Sequence, residues 1–271
     1  MRLYLNQFSL HEDMEVNFQH VLEVFEQSSL IDLIVSPEVF TSGFQYRELP
    51  TISEKNRDFV HIISNQCRKH QTAFCGSLFW YEKKKYTNRA FFIDDKGDIL
   101  SMYDKVHLIP TFREHEFIRP GKNISIIKYK ELYIGLAICY DLRFPELFRK
   151  YAKKEVDAIL VMAQWPQERK DHMIALAKAR AIENQCYIIL VNTTGKSGKM
   201  TMAGNSMVIH PKGEVLLNLG NSQEGKDYQV HLAEILKWRS EFPALYQYSR
   251  PRLFPAKPLK FGNNVDEDQK K

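Results

Sequence analysis

Three residues far apart in the chain, Cys139, Glu38 and Lys105, carry the side chains that amide cleavage needs. A thiolate attacks the carbonyl carbon, a carboxylate takes the thiol proton and passes it to departing ammonia, and an ammonium stabilises the oxyanion. Each lies where a strand is expected to end. Cys139 closes the apolar run Tyr133-Ile134-Gly135-Leu136-Ala137-Ile138 and precedes a helix headed by Pro145. Its thiol is then held on a sharp corner, near backbone N–H groups that favour negative charge. Glu38 follows Leu33-Ile34-Val35 and is flanked by Pro37, Val39 and Phe40. Poor hydration there raises a carboxyl pKa and suits it to proton transfer near neutrality. Lys105 ends a strand in Tyr103-Asp104-Lys105-Val106-His107-Leu108, and its apolar followers argue that the segment turns inward. An inward ammonium must be paired, and Glu38 or Glu114 is available.

Each residue also has an ordinary reading. Cysteine is often a core residue, and Cys67, Cys75 and Cys186 are expected to be that. Loop glutamates and lysines are ordinarily solvated. Cysteine hydrolases more often use histidine as base. With nine histidines present, Cys139–His107 and Cys139–His172 remain rival pairings between which spacing does not choose. The cysteines form no Cys-x-x-Cys pair and no Cys/His zinc spacing, so no metal site is expected.

The elements that must position these groups alternate between short apolar runs and amphipathic stretches. Arg2 to Phe8 reads as a strand, and Met14, Phe18, Val21, Leu22 and Phe25 recur at helical spacing. After the strand Leu33-Ile34-Val35, the residues Phe59, Ile62, Ile63 and Cys67 predict a second helix. Thr72 to Trp80 and Asn88 to Ile93 read as strands, and Asp94-Asp95-Lys96-Gly97 turns the latter into Ile99–Tyr103. A polar loop, 105–123, leads to the Cys139 strand and to a helix from Pro145 through Tyr151, where proline suits the first turn. Asp157 to Ala163 is a strand, and Glu168 to Gln185 a helix with Ile174, Leu176, Ala177, Ala181 and Ile182 towards the core. Tyr187 to Asn192 follows, and Ala203 to His210 pairs with Glu214–Leu219. Alternating βα units with interleaved hairpins predict an α/β fold with mixed sheets. One domain, 1–262, is expected, with a polar tail, 263–271, that frays.

Bulk properties exclude other classes. Of the 271 residues, 44% are hydrophobic and 26% charged, which suits a globular core. The net charge of +5 is spread over 38 basic and 33 acidic residues without a concentrated basic face, so nucleic-acid binding is not expected. No apolar run approaches the roughly 18 residues that span a bilayer. The amino terminus lacks the apolar region of a signal peptide. The expectation is a reduced, cytoplasmic protein without membrane partners.

At the reactive segments the chain resembles the nitrilase superfamily of carbon–nitrogen hydrolases. The likeness rests on three separated parts in the family's order: Ser36-Pro37-Glu38-Val39-Phe40, then Tyr103 to Leu108, then Gly135 to Leu147 around Cys139-Tyr140-Asp141-Leu142-Arg143-Phe144-Pro145. It extends to about Leu232. The resemblance implies Cys139 as a nucleophile forming a thioester, Glu38 as general base and Lys105 as oxyanion stabiliser. It implies a further glutamate, Glu114 rather than Glu116, orienting Lys105. It implies a four-layer α-β-β-α sandwich, a homodimer, and no metal or organic cofactor. Within the superfamily, Glu114-His115-Glu116-Phe117, Ala163-Gln164-Trp165-Pro166 and Lys178 to Asn184 are most similar to the ω-amidase group, which cleaves the side-chain amide of 2-oxo acids such as 2-oxoglutaramate. His172-Met173 departs from the His-Trp frequent in that group. Phe44, Tyr140 and Trp165 are candidate pocket walls, and Arg143 and Arg180 are expected to pair with Asp141 and Glu183. The alternatives are a nitrilase or N-carbamoyl amidohydrolase using the same residues, and a non-catalytic binding or scaffold protein on this fold.

Overall fold

The computed structural model describes residues 1–27 and 30–245. Two six-stranded sheets lie face to face. The first contains β1 (Arg2–Leu5), β2 (Leu33–Val35), β3 (Ala73–Glu82), β4 (Lys85–Ile93), β5 (Ile99–Asp104) and β14 (Lys226–Gln229), in the order β14-β1-β2-β3-β4-β5. The second contains β6 (Ile126–Tyr129), β7 (Leu132–Ile138), β8 (Ala158–Ala163), β9 (Tyr187–Asn192), β12 (Met207–Ile209) and β13 (Val215–Asn218), in the order β13-β12-β9-β8-β7-β6. A small hairpin, β10 (Lys196–Ser197) and β11 (Met200–Thr201), stands apart. In each sheet the central strands run parallel and the outer ones antiparallel.

Side-chain alternation builds the layers. Leu33, Val35, Ala73, Cys75, Ala90 and Phe92 face the second sheet and share one core with Leu136, Ile138 and Leu160. Their neighbours Ile34, Phe74, Phe91 and Ile93 face the opposite way, onto α1 (Met14–Gln27) and α2 (Leu49–His70). The far face of the second sheet is covered by α4 (Pro145–Ala152) and α5 (Lys170–Asn184), through Phe148, Tyr151, Met173 and Ala177. The result is the four-layer α-β-β-α sandwich with mixed sheets. Two further helices, α3 (Glu114–Phe117) and α6 (Leu232–Glu241), complete the α-helices of the described residues.

Local readings are corrected in four places. The first strand stops at Leu5, because the Asn6 and Gln7 side chains leave the ladder to bond Ser36 Oγ (3.1 Å) and the Ser206 N–H (2.8 Å). The segment 105–123 is not all loop, since it contains α3 and a short 3₁₀ turn, Pro110–Phe112. On α5 the buried stripe runs Met173, Ala177, Arg180, Ala181, Asn184, so Ile182 is 53% exposed rather than core. On α2, Ile62 likewise faces outward. The tail 263–271 lies outside the described residues.

Candidate active site

Glu38 enters from the loop after β2. Its backbone is fixed on both sides: the Ser36 N–H donates to Cys75 (2.8 Å), and the Val39 N–H donates to Ser77 Oγ (2.9 Å). Val39 adopts a φ of +37°, which is strained for a β-branched residue and turns the chain sharply enough to aim Glu38 inward. Lys105 follows β5, and Gly121 closes the succeeding loop over it with an N–H donated to the Lys105 carbonyl (2.8 Å). A Cβ at Gly121 would come 2.2 Å from the Asp104 carbonyl oxygen, so only glycine allows this closure.

The side chains meet in a buried cluster. Lys105 Nζ lies 2.8 Å from Glu38 Oε1 and 3.0 Å from Glu114 Oε1, and all three side chains have 0% exposure. Glu38 also accepts from Asn88 Nδ2 (2.8 Å) and from the Gln164 N–H (3.1 Å). Glu114 accepts from the Tyr46 hydroxyl (2.9 Å) and the Ile109 N–H (2.6 Å). Every carboxylate oxygen thus has a donor, which is the condition for burying charge.

Cys139 stands at the end of β7 with a φ of +44° and is 3% exposed. Its Sγ points to the Gln164 carbonyl (3.8 Å), and the Cys139 thiol and the Glu38 carboxyl influence each other's proton affinity. Asp141 holds this left-handed corner: its carboxylate accepts from the Ile138 N–H (3.0 Å), the Tyr103 hydroxyl (2.7 Å), and both the backbone (2.9 Å) and Nδ1 (2.7 Å) of His107. The Cys139 corner and the Lys105 segment are therefore tied to one buried carboxylate. His107 is occupied by Asp141 and stacks on Phe144 at 3.7 Å, so the described contacts give it no bond to Cys139.

The electrostatics follow from burial. Desolvation raises the Glu38 pKa, and the Glu114 charge adds to the rise against the opposing pull of Lys105. Burial and the negative charge of Glu38 push the Cys139 thiol well above its ordinary value, so it rests protonated. Burial disfavours the Lys105 charge, but Glu38 and Glu114 outweigh it and keep the ammonium charged. A neutral thiol beside an unusually basic carboxylate and a fixed cation can transfer a proton, attack a carbonyl and stabilise the resulting oxyanion.

Cys139 opens on a cavity of about 270 Å³, walled by residues 109–112, Tyr140, Arg143, Gln164, Trp165, Pro166 and Arg169. The sequence-predicted Tyr140 and Trp165 line it. Phe44 does not: it borders neighbouring cavities and reaches this wall only through an edge contact with Phe112 (5.9 Å). Arg143 does not pair with Asp141, whose oxygens are all taken. Its guanidinium instead lies over the Trp165 ring (4.7 Å) and the Tyr140 ring (5.8 Å). Arg180 does bond Glu183 (2.9 Å), and also the Leu142 carbonyl (3.1 Å). Sequence reasoning passed over Asn88, Gln164, Tyr46 and the bracing role of Asp141. Among the described residues, no cluster of three or more His, Cys, Asp or Glu side chains is placed to hold a metal.

The carbon-nitrogen hydrolase family model matches residues 5–239. The chain belongs to the carbon–nitrogen hydrolases. It is 32% identical over 244 residues to the omega-amidase YafV of Escherichia coli (strain K12), covering 89% of this chain and 94% of that protein. It is 30% identical over 220 residues to a 2-oxoglutaramate amidase of Bacillus subtilis (strain 168), covering 80% and 85%. Among solved structures it is similar to XC1258 from Xanthomonas campestris, a CN-hydrolase superfamily protein with an arsenic adduct in its active site. The TM-score is 0.85 at 26% identity, covering 94% of this chain and 99% of that one. The carbon–nitrogen hydrolase is an amidase of the nitrilase superfamily. No helix among its described residues is long and apolar enough to cross a membrane.

Proposed function

We propose that this hydrolase cleaves the ω-amide of a 2-oxo acid such as 2-oxoglutaramate, giving the carboxylate and ammonia through a thioester on Cys139. The observation that supports the reading is the buried, hydrogen-bonded cluster of Glu38, Lys105 and Glu114 next to Cys139, which opens on a cavity. Glu38 takes the thiol proton as Sγ bonds to the amide carbon, and Lys105 stabilises the oxygen that gains charge. The tetrahedral species collapses with loss of the C–N bond, and Glu38 returns the proton to departing ammonia. Water then attacks the thioester and gives its proton to Glu38. The C–S bond breaks, the carboxylic acid leaves, and the thiol is restored. Glu114 is a positioning residue for Lys105, and it also helps keep Glu38 basic.

The substrate assignment rests on the relatives' named activities and on Arg143. This guanidinium lines the cavity, spread over two aromatic faces, and has no carboxylate partner among the described residues. It is placed to bind the carboxylate at the far end of a short linear amide. We propose a homodimer as well, which sedimentation tests directly.

The deciding experiment incubates the protein with 2-oxoglutaramate and glutamine, follows ammonia, and weighs the intact chain after rapid quenching. The reading expects ammonia from 2-oxoglutaramate and an acyl adduct that maps to Cys139. Absence of both ammonia and adduct sinks it.

A further inference from the structure

Resting on the proposed function, we infer that Arg169 acts with Arg143 as a two-guanidinium clamp that selects amides by the charge and hydrogen-bonding character of their far end. Amides of 2-oxo acids are admitted, and amides of 2-amino acids are turned away.

Both arginines line the cavity into which Cys139 opens. One indole positions the pair. Trp165 lies beneath the Arg143 guanidinium at 4.7 Å, while its Nε1–H donates to the Arg169 carbonyl at 2.7 Å. The Trp165 backbone is itself pinned, its N–H donating to Asn192 Oδ1 (2.6 Å). Arg169 therefore stands at a fixed distance along the chain from the ring that carries Arg143, at the turn entering α5.

Neither guanidinium has a carboxylate partner among the described residues, although arginines elsewhere do. Arg89 pairs with Asp104, Arg180 with Glu183 and Arg239 with Asp157. The carboxylates nearest the cavity are already committed: Glu38 and Glu114 to Lys105, and Asp141 to Tyr103, His107 and the Ile138 N–H. Among the described residues, neither Asp nor Glu lines the cavity. Two arginines on the wall of one small cavity carry like charges, and an entering anion would relieve their repulsion while gaining charge-assisted hydrogen bonds.

Guanidinium groups only donate. A 2-oxo acid presents a carboxylate and an adjacent keto oxygen, which only accept, so one arginine can fork onto the carboxylate and the other reach the remaining acceptors. A 2-amino acid places an ammonium at the keto position. That group carries a positive charge and only donors, and among the described residues no acidic side chain lines the cavity to receive them. Glutamine, with the same reacting amide, is thus disfavoured at its far end.

The test compares kcat/KM for 2-oxoglutaramate, glutamine and the neutral amide butanamide in the wild type, Arg169→Met and Arg169→Lys, with melting temperatures as a fold check. The clamp predicts that Arg169→Met lowers the 2-oxoglutaramate/butanamide ratio by about 10- to 100-fold, chiefly through KM. The 2-oxoglutaramate/glutamine ratio falls as well, and Arg169→Lys restores part of both. Unchanged ratios, or an equal fall on all three substrates, overturn the clamp. A wild type that favours 2-oxoglutaramate combined with unchanged ratios in Arg169→Met defeats the clamp alone. A wild type with no preference for 2-oxoglutaramate over butanamide defeats the clamp and the substrate assignment together.

Discussion

Lys105 and Arg143 border the same reactive thiol, yet their surroundings are opposite. The ammonium is wholly buried between two carboxylates that are themselves bonded on every side. The guanidinium is half-buried, rests on aromatic rings and has no anion among the described residues. Groups that bind one another before substrate arrives hold a fixed geometry and a fixed protonation state, which is what bond-making needs. Groups left without partners keep their binding capacity for the ligand, which is what selection needs. Damage to the first set should therefore strike all substrates alike, and damage to the second should strike them unequally.

The sharpest break is at the sulfur. Cys139→Ala is expected to lower ammonia release on the order of 10⁴-fold or more for every amide, while circular dichroism shows an intact fold. Retained turnover would assign the nucleophile elsewhere. Lys105→Met comes next, because it abolishes oxyanion stabilisation and also leaves Glu38 and Glu114 as buried, uncompensated charges. A loss of about 3–5 kcal/mol in unfolding free energy is expected, measurable by urea denaturation, and an unchanged midpoint would mean the charges had found water. Arg143→Met should leave stability within about 0.5 kcal/mol, as for a residue outside the packed core. It should raise KM for 2-oxoglutaramate about 10- to 100-fold relative to butanamide, and equal losses on both would erase the contrast drawn here.

The smallest effect is a displaced pH profile. Burial raises the Glu38 pKa above the ordinary 4.5, and the Glu114 charge contributes to the rise. A base works only when deprotonated, so activity is lost as pH falls through that raised value. Glu114→Gln removes one of the raising charges, and the acid limb of kcat/KM should move to lower pH. A limb that stays put or moves up would show that Glu38 does not feel Glu114.

The alternation of strands and helices and the strand ends at Glu38, Lys105 and Cys139 were legible in the sequence because they leave short-range marks, whereas the four layers came from the family resemblance. Alternating apolar residues betray strands, and a Glu or Cys directly after a buried run betrays a strand end. The family resemblance then joined segments that periodicity alone cannot bring together. What stayed hidden depends on directions in space. Asp141 sits two residues from Arg143, and sequence proximity suggested a pair, but the 3₁₀ turn Cys139–Arg143 sends the carboxylate inward to four donors and leaves Arg143 lining the cavity. Asn88 reads as an unremarkable strand start, since nothing local announces that Glu38 lies 2.8 Å away. Ile182 is apolar by composition but falls one step off the Met173–Ala177–Ala181 stripe, so side-chain type misled where helical phase decided.

Glu38 and Lys105 extend from β2 and β5 of one sheet, whereas Cys139 and Gln164 extend from β7 and β8 of the other. The reactive assembly is therefore a seam, and neither half of the molecule owns it. Severing the chain between residues 121 and 125 would give two fragments that are each chemically mute. Ammonia release on mixing them would then report, as a built-in gauge, how faithfully one sheet has docked against its fellow.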